Sequence, residues 1–144
     1  IDLRSEVCPT DWDLRIGPTR HAYFNIRLAD GLRVVDGGIV VDSEGRRGGD
    51  AISGQQADWV DASGTAVPGH RVGIAVFLYP SVGSPPWNVA DYGTITVNPL
   101  GDAPRNLSKG DTMDLAIRLI VHDGDAGEAG VAAMFESFKQ ERLV

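Results

Sequence analysis

Glycine and proline divide this chain into short apolar segments, and this punctuation constrains its fold more than any other feature. The 144 residues include 18 glycines and 8 prolines. Both residues favour turns, so frequent punctuation between short apolar runs is typical of a β-sandwich or a barrel. In the clearest segment, residues 111–122, every second residue is apolar: Met113, Leu115, Ile117, Leu119 and Val121. This two-residue period predicts a strand with one buried face.

The last part of the chain changes to helical spacing. Its apolar residues are Val131, Met134, Phe135 and Phe138. Asp125 is placed to cap the helix N-terminus, with Glu128 as the second member of a capping box. A helix with one apolar face buries that face, and a sheet of the same domain is the expected surface. We therefore predict a mainly β fold, an antiparallel β-sandwich with one C-terminal amphipathic helix, as a single domain over residues 1–144.

Shorter patterns predict the remaining elements. Apolar alternation predicts further strands near residues 1–7 and 22–28. Short apolar segments predict others near 14–16, 39–41, 56–61, 71–79 and 94–97. The dipeptide Asp30-Gly31 predicts a hairpin that leads into a strand at 32–35. Composition predicts a turn at Ser63-Gly64, a flexible loop at 45–49 and another loop at 81–86.

Charge and cysteine content exclude several classes of protein. The net charge is −7, which disfavours nucleic acid, because binding to phosphates needs clustered Lys and Arg. No apolar run approaches the roughly 20 residues of a membrane-spanning helix. Cys8 is the single cysteine, so an internal disulfide is excluded, and a reducing cytoplasm is the expected compartment. The first residues lack the pattern of a signal peptide, although the chain begins with Ile and a leader can be missing.

Histidines and carboxylates are the next candidates for chemistry. The histidines, His21, His70 and His122, are not spaced as local metal ligands, so we predict no metal site and no cofactor. The segment 122–125, His-Asp-Gly-Asp, is either a carboxylate-rich calcium loop or a tight turn that leads into the helix. Asp58 and Asp61 form a candidate acid–base pair, but residues three apart on a strand point to opposite faces.

Trp87 has two interpretations. Pro85 and Pro86 stiffen the segment before it, so the indole can be presented as a plate that stacks on a sugar ring. Asn88, Asp91 and Tyr92 would then supply hydrogen bonds to the same ligand. In the alternative, Trp87 fills one end of the sandwich core.

Three segments in this order resemble the PmoA-like bacterial family of unknown function. They are 58–64 (Asp-Trp-Val-Asp-Ala-Ser-Gly), 86–93 (Pro-Trp-Asn-Val-Ala-Asp-Tyr-Gly) and 121–125 (Val-His-Asp-Gly-Asp). The resemblance implies that this chain corresponds to the C-terminal half of a longer family fold, and it implies a carbohydrate-related context. The family's Trp-His-Val-Arg-Asp-Tyr-Gly reads Trp87-Asn88-Val89-Ala90-Asp91-Tyr92-Gly93 here, so a histidine and an arginine are replaced.

We therefore predict a carbohydrate-related protein that binds a sugar-like ligand near the Trp87 loop. The expected binding residues are Trp87, Asn88, Asp91 and Tyr92. If a reaction is catalysed, Asp91, His122 and Asp123 are the candidate acids and bases. The alternative is a non-catalytic accessory subunit that forms a homo-oligomer or completes its fold with a partner chain. A metal-dependent oxygenase is a third hypothesis.

Overall fold

A computed structural model describes residues 1–19, 24–100 and 103–141 of the chain. The strands are β1 (Asp2–Val7), β2 (Leu14–Ile16), β3 (Phe24–Arg27), β4 (Ile39–Asp42), β5 (Trp59–Val67), β6 (His70–Leu78), β7 (Trp87–Ala90), β8 (Thr94–Val97), β9 (Arg105–Leu107) and β10 (Met113–Asp123). The α-helices are α1 (Gly49–Ile52) and α2 (Val131–Gln140), and 3-10 turns cover Val34–Asp36 and Pro80–Val82. His21, the predicted strand residues 22–23 and Arg142 lie outside the described residues.

Two antiparallel sheets form the sandwich. The larger sheet has the strand order β1-β10-β6-β5-β4, and the smaller has the order β3-β8-β7. Strands β2 and β9 form a separate two-stranded sheet. We call the face of the larger sheet that packs on the smaller sheet its inner face, and the face that packs on α2 its outer face. The predicted antiparallel β-sandwich with one C-terminal helix is confirmed.

The inner face carries the main core. Val60, Val76 and Ile117 of the larger sheet are buried in one cluster with Trp87 and Ile95 of the smaller sheet. Alternation on each strand puts these side chains on one face. Of these residues, Ile117 was predicted from the two-residue period of segment 111–122. Each fully buried aliphatic side chain of this kind contributes about 1.5–3 kcal/mol.

The outer face is covered by α2. Phe135 and Phe138 pack on Phe77 of β6, with ring centroids 5.3 and 5.5 Å apart respectively. The buried residues of α2 are Val131, Phe135 and Phe138, at positions i, i+4 and i+7 of one helical stripe. Met134 is 37% exposed, so its predicted place in the buried stripe is wrong. Among the described residues, no helix is long and apolar enough to span a membrane.

Strand β10 departs from its predicted alternation near its end. Met113, Leu115 and Ile117 are buried on the inner face as predicted, whereas Val121 on the same face is 71% exposed. His122, which points to the outer face, is buried instead. The inner face is therefore uncovered near residue 121, while α2 and the turn before it cover the outer face.

The C-terminal helix begins later than predicted. The capping-box contacts form, since Glu128 N–H donates to Asp125 Oδ1 at 3.0 Å and Asp125 N–H donates to Glu128 Oε2 at 3.0 Å. They stabilise a turn, however, and α2 begins only at Val131. Gly130 interrupts the helical path because its φ is +70°, in the left-handed region that glycine adopts without strain.

Two local predictions are also wrong, whereas the segment predicted as a loop at 45–49 is a loop as far as residue 48. Residues 32–35 do not form a strand, because Val34–Asp36 is a 3-10 turn. The predicted turn at Ser63-Gly64 is the middle of β5, where the carbonyl of Gly31 lies so close to Gly64 that a Cβ would clash. The predicted flexible loop at 45–49 reaches the first residue of α1. Strand β7, which begins directly after the loop predicted at 81–86, was not predicted.

Candidate functional site

Trp87 lies in the core. Its side chain is 1% exposed, and its Nε1–H donates to the carbonyl of Ala57 at 2.9 Å. A ring that is buried on both faces offers no surface on which a sugar could stack. Its burial fits the alternative interpretation, in which Trp87 fills the sandwich.

The other residues predicted beside Trp87 make local contacts. Asp91 Oδ1 accepts a hydrogen bond from the backbone N–H of Gly49 at 2.7 Å, which joins the β7–β8 turn to the start of α1. Asn88 is half-buried, and its Oδ1 lies 3.5 Å from the hydroxyl of Ser53. Tyr92 is 54% exposed, and the guanidinium carbon of Arg27 is 5.9 Å from its ring centroid.

His122 meets Asp61 on the outer face of the larger sheet. His122 Nε2 is 2.6 Å from Asp61 Oδ2, and both side chains are buried. His122 Nδ1 is 3.2 Å from the carbonyl oxygen of Asp123. A carbonyl oxygen only accepts, so Nδ1 carries a proton and the Nε2–Asp61 contact holds one further shared proton.

The absence of a side chain on Gly73 leaves room for the His122–Asp61 pair. Gly73 is the cross-strand neighbour of His122 on β6, and a Cβ at position 73 would overlap the imidazole ring. The ring therefore lies across the glycine and reaches Asp61 on β5. On each side of Asp61 along this face of β5 lie Trp59 and Ser63.

Asp61 is an unusual carboxylate. Its residue is 0% exposed, and its Oδ1 has no hydrogen-bond partner among the described residues. Burial raises the pKa of Asp61 to about 6, against the opposing effect of the His122 hydrogen bond. Asp58 stays exposed before β5, so the predicted acid–base pair of Asp58 and Asp61 does not form.

Asp123, the remaining candidate acid or base, turns away from the buried pair. Its side chain is exposed, and its Oδ1 is 2.9 Å from Nε2 of the equally exposed His70. Asp125 supports the turn before α2 through the backbone N–H groups of Gly127 and Glu128. Within the described residues, no three His, Cys, Asp or Glu side chains lie together as a metal site would require.

A cleft opens beside the buried pair, and we call it the α2 cleft. Its volume is about 340 Å³. It lies on the outer face between β4, β5, the loop of residues 43–47, the turn of residues 125–127 and the first turn of α2. Its apolar lining is Ile39, Val41, Trp59, Ala126 and Ala132. Its polar lining includes Ser43, Arg47, Ser63 and Asp125.

The 43–47 loop is held by one buried carboxylate. Asp42 Oδ1 accepts hydrogen bonds from the backbone N–H groups of Glu44 and Arg46 at 3.0 and 2.9 Å. Asp42 Oδ2 accepts from Arg46 Nε at 2.6 Å. Arg47 then pairs with Val41 in an isolated bridge at the edge of β4. The loop wall of the cleft is therefore pre-organised.

No local pattern in the sequence indicates the α2 cleft. Trp59, Asp61 and Ser63 share a face because they alternate on β5. Their common face can be inferred from the sequence once the bounds of the strand are known. Arg47 and Asp125 approach them only through the fold, since 78 residues separate the two in the chain. The candidate site is thus built from residues 43–47, 59–63 and 122–127.

In comparisons with known proteins, the chain matches a family whose function is unknown. The family model described as "Family of unknown function (DUF6807)" matches residues 1–136. No curated protein and no solved structure matches the chain. The resemblance to PmoA-like proteins is not tested by these findings and stays a prediction. Since the match covers nearly the whole chain, the chain belongs to the family of unknown function DUF6807.

Proposed function

We propose that this domain binds a small polyhydroxylated molecule, of monosaccharide size, in the α2 cleft. The observation that carries the proposal is an aromatic wall with polar side chains around one cleft. Binding sites for small molecules are usually apolar clefts of about 300–1,000 Å³ with a few convergent polar groups. The α2 cleft, at about 340 Å³, is at the small end of this range.

The chemistry of the lining supports a ligand rich in hydroxyl groups. Trp59 is 8% exposed, and the part of its ring that lines the cleft supplies an aromatic surface. Indole rings pack well on apolar ring faces. The hydroxyl of Ser63 and the indole N–H of Trp59 make no hydrogen bond to another described residue. Arg47 supplies several donors, and Asp125 supplies acceptors. A sugar offers donors and acceptors to both kinds of group.

The proposal is for binding rather than catalysis. Both ring nitrogens of His122 are already engaged, and Asp61 is completely buried. A general base needs to reach the proton that it removes. The buried pair therefore supports the floor of the cleft and does not contact the ligand.

Filling the cleft tests the proposal. Ala132 lines the cleft on α2, and its neighbour Ala133 is exposed and does not line it. We expect Ala132→Leu to weaken binding by about tenfold or more, a loss of about 1.4 kcal/mol. Ala133→Leu is the matched control and leaves affinity unchanged. Isothermal titration calorimetry with a panel of monosaccharides, sugar acids and linear polyols measures both variants.

Two results would oppose the proposal. If no member of the panel binds the unmodified chain, the α2 cleft is not a sugar site. If Ala132→Leu and Ala133→Leu reduce affinity equally, or not at all, binding takes place elsewhere on the surface.

A second candidate function is that of a structural subunit that pairs with a second copy through β1. Strand β1 is an edge of the larger sheet, and none of its residues is fully buried. The opposite edge, β4, is partly closed by the Val41–Arg47 bridge. An open edge strand presents unpaired backbone groups that a second strand can bind.

Charge favours an antiparallel pairing of two β1 strands. If Ser5 of one copy lies opposite Ser5 of the other, then Arg4 faces Glu6 and Leu3 faces Val7 across the interface. Light scattering on the purified chain tests this pairing. We expect a dimer that Glu6→Arg dissociates, because it places like charges opposite each other. A monomer at all concentrations would exclude this second function.

A further inference from the structure

Arg47 lines the α2 cleft and forms no ion pair with a carboxylate of the described residues. Arg46 and Arg47 are adjacent, but their side chains have different partners. Arg46 donates from Nε to Asp42 and from Nη2 to the carbonyl of Gln56, each at 2.6 Å. Arg47 lines the cleft, and no described carboxylate oxygen lies within 4.0 Å of its nitrogens. Arg46 holds the loop, whereas Arg47 is exposed at the cleft and forms no ion pair with a described carboxylate.

The carboxylates near the cleft are already committed. Asp42 pairs with Arg46, and Asp61 shares a proton with His122. Asp125 Oδ1 accepts two backbone hydrogen bonds in the turn before α2. These bonds, with Arg71 and Arg47 at longer range, hold the pKa of Asp125 below its usual value. Asp125 is therefore a negative group in the same cleft as Arg47, and the lining presents charges of both signs in a chain whose net charge is −7.

We propose that the ligand of the α2 cleft is a sugar acid, whose carboxylate binds Arg47. This inference rests on the proposed function and adds the class of sugar to it. The guanidinium group of arginine matches the two oxygens of a carboxylate and forms paired, charge-assisted hydrogen bonds. The backbone of Arg47 is fixed by its bridge to Val41, so anion binding has to order the side chain but not the loop backbone.

A carboxylate fits this cleft better than a phosphate group does. Both anions would contact Arg47, but a phosphate group brings up to two negative charges close to Asp125. Arg47 is the cleft's single lining cation among the described residues, so it neutralises one charge and not two. The test therefore includes both anions.

Calorimetric titration at low ionic strength with D-glucuronate, D-glucose and glucose 6-phosphate tests the inference. We expect glucuronate to bind about tenfold or more tightly than glucose, as hydrogen bonds to charged groups imply. Arg47→Gln should reduce the ratio of the two affinities to about one, and Arg47→Lys should keep part of it. Arg105→Gln is the matched control: it removes the same charge from the exposed strand β9 and leaves the ratio unchanged.

Each other outcome overturns a defined part of the account. If glucose and glucuronate bind equally, the proposed function stands and the sugar-acid inference fails. A preference for glucose 6-phosphate over glucuronate rejects the carboxylate. If Arg105→Gln abolishes the preference as Arg47→Gln does, the effect comes from net charge and Arg47 is not the recognising residue. If none of the three ligands binds, the sugar-acid inference fails, and the proposed function fails with it only if the wider panel of monosaccharides and linear polyols does not bind either.

Discussion

At the scale of single residues, the decisive feature is the pair of Asp61 and His122. His122 was a candidate from its place beside Asp123, yet its partner is 61 residues away in sequence. Local spacing cannot reveal such a pair, because it depends on the register of β5, β6 and β10. Gly73 could not be singled out either, since its lack of a side chain matters only once the imidazole lies across it.

Gly73→Ala tests whether that space is required. A Cβ at position 73 would displace the imidazole and leave Asp61 buried without its partner. Breaking a buried ion pair costs about 3–5 kcal/mol, and we expect a loss of about this size in the free energy of unfolding. Gly17→Ala is the control, because a Cβ at position 17 meets no atom within 4 Å. Urea denaturation measures both. Equal stability of the two variants would show that His122 does not occupy the space over Gly73.

Asp61→Asn should change the pH dependence of stability. Burial raises the pKa of Asp61 from 3.8 to about 6, so the folded chain holds this proton more tightly than the unfolded chain. The stabilisation is complete below pH 4 and is lost as the pH rises to 6. Relative to Asp61→Asn, the unmodified chain should lose on the order of 2–3 kcal/mol over this interval, at about 1.4 kcal/mol per pKa unit. Urea denaturation from pH 4 to 7 measures it, and parallel profiles would contradict a raised pKa.

At the scale of elements, sequence periodicity located most of the strands because alternation records which face is buried. Periodicity does not predict the structure where contacts between elements, or a glycine with positive φ, decide the local conformation. Residues 63–64 look like a turn, but they lie in β5 under a crossing loop. The helix start was placed at Asp125 because the capping-box contacts are real, although they close a turn that Gly130 separates from α2.

Helix α2 provides a direct test of the corrected buried stripe. Phe138 is 2% exposed and its ring centroid lies 4.6 Å from that of Tyr79, whereas Met134 is partly exposed. Removing a buried phenylalanine side chain costs about 3–5 kcal/mol. We therefore expect Phe138→Ala to lower the free energy of unfolding by about this amount, and Met134→Ala to lower it by less than about 1 kcal/mol. A larger effect of Met134→Ala in thermal or urea unfolding would restore the originally predicted stripe.

At the scale of the whole molecule, two of the three segments that carry the PmoA-like resemblance meet, and the third lies elsewhere. Residues 58–64 and 121–125 join through Asp61 and His122 beside the α2 cleft. Residues 86–93 contribute Trp87 to the core between the sheets. Aromatic character alone does not distinguish a tryptophan of the core from a tryptophan that binds a ligand. For this reason the sequence predicts the site around Trp87.

The central claim is that ligand binding occurs at Trp59 and not at Trp87. The three tryptophans have different surroundings. Trp12 is exposed, Trp59 is mostly buried in the outer-face cluster and lines the α2 cleft, and Trp87 is in the core between the sheets. Fluorine NMR of the chain labelled with 5-fluorotryptophan gives one resonance for each, assigned by Trp→Phe variants. During titration with D-glucuronate, we expect the Trp59 resonance to shift and the other two to stay in place. A shift confined to Trp87, or a saturating titration that leaves Trp59 unchanged, would contradict the account.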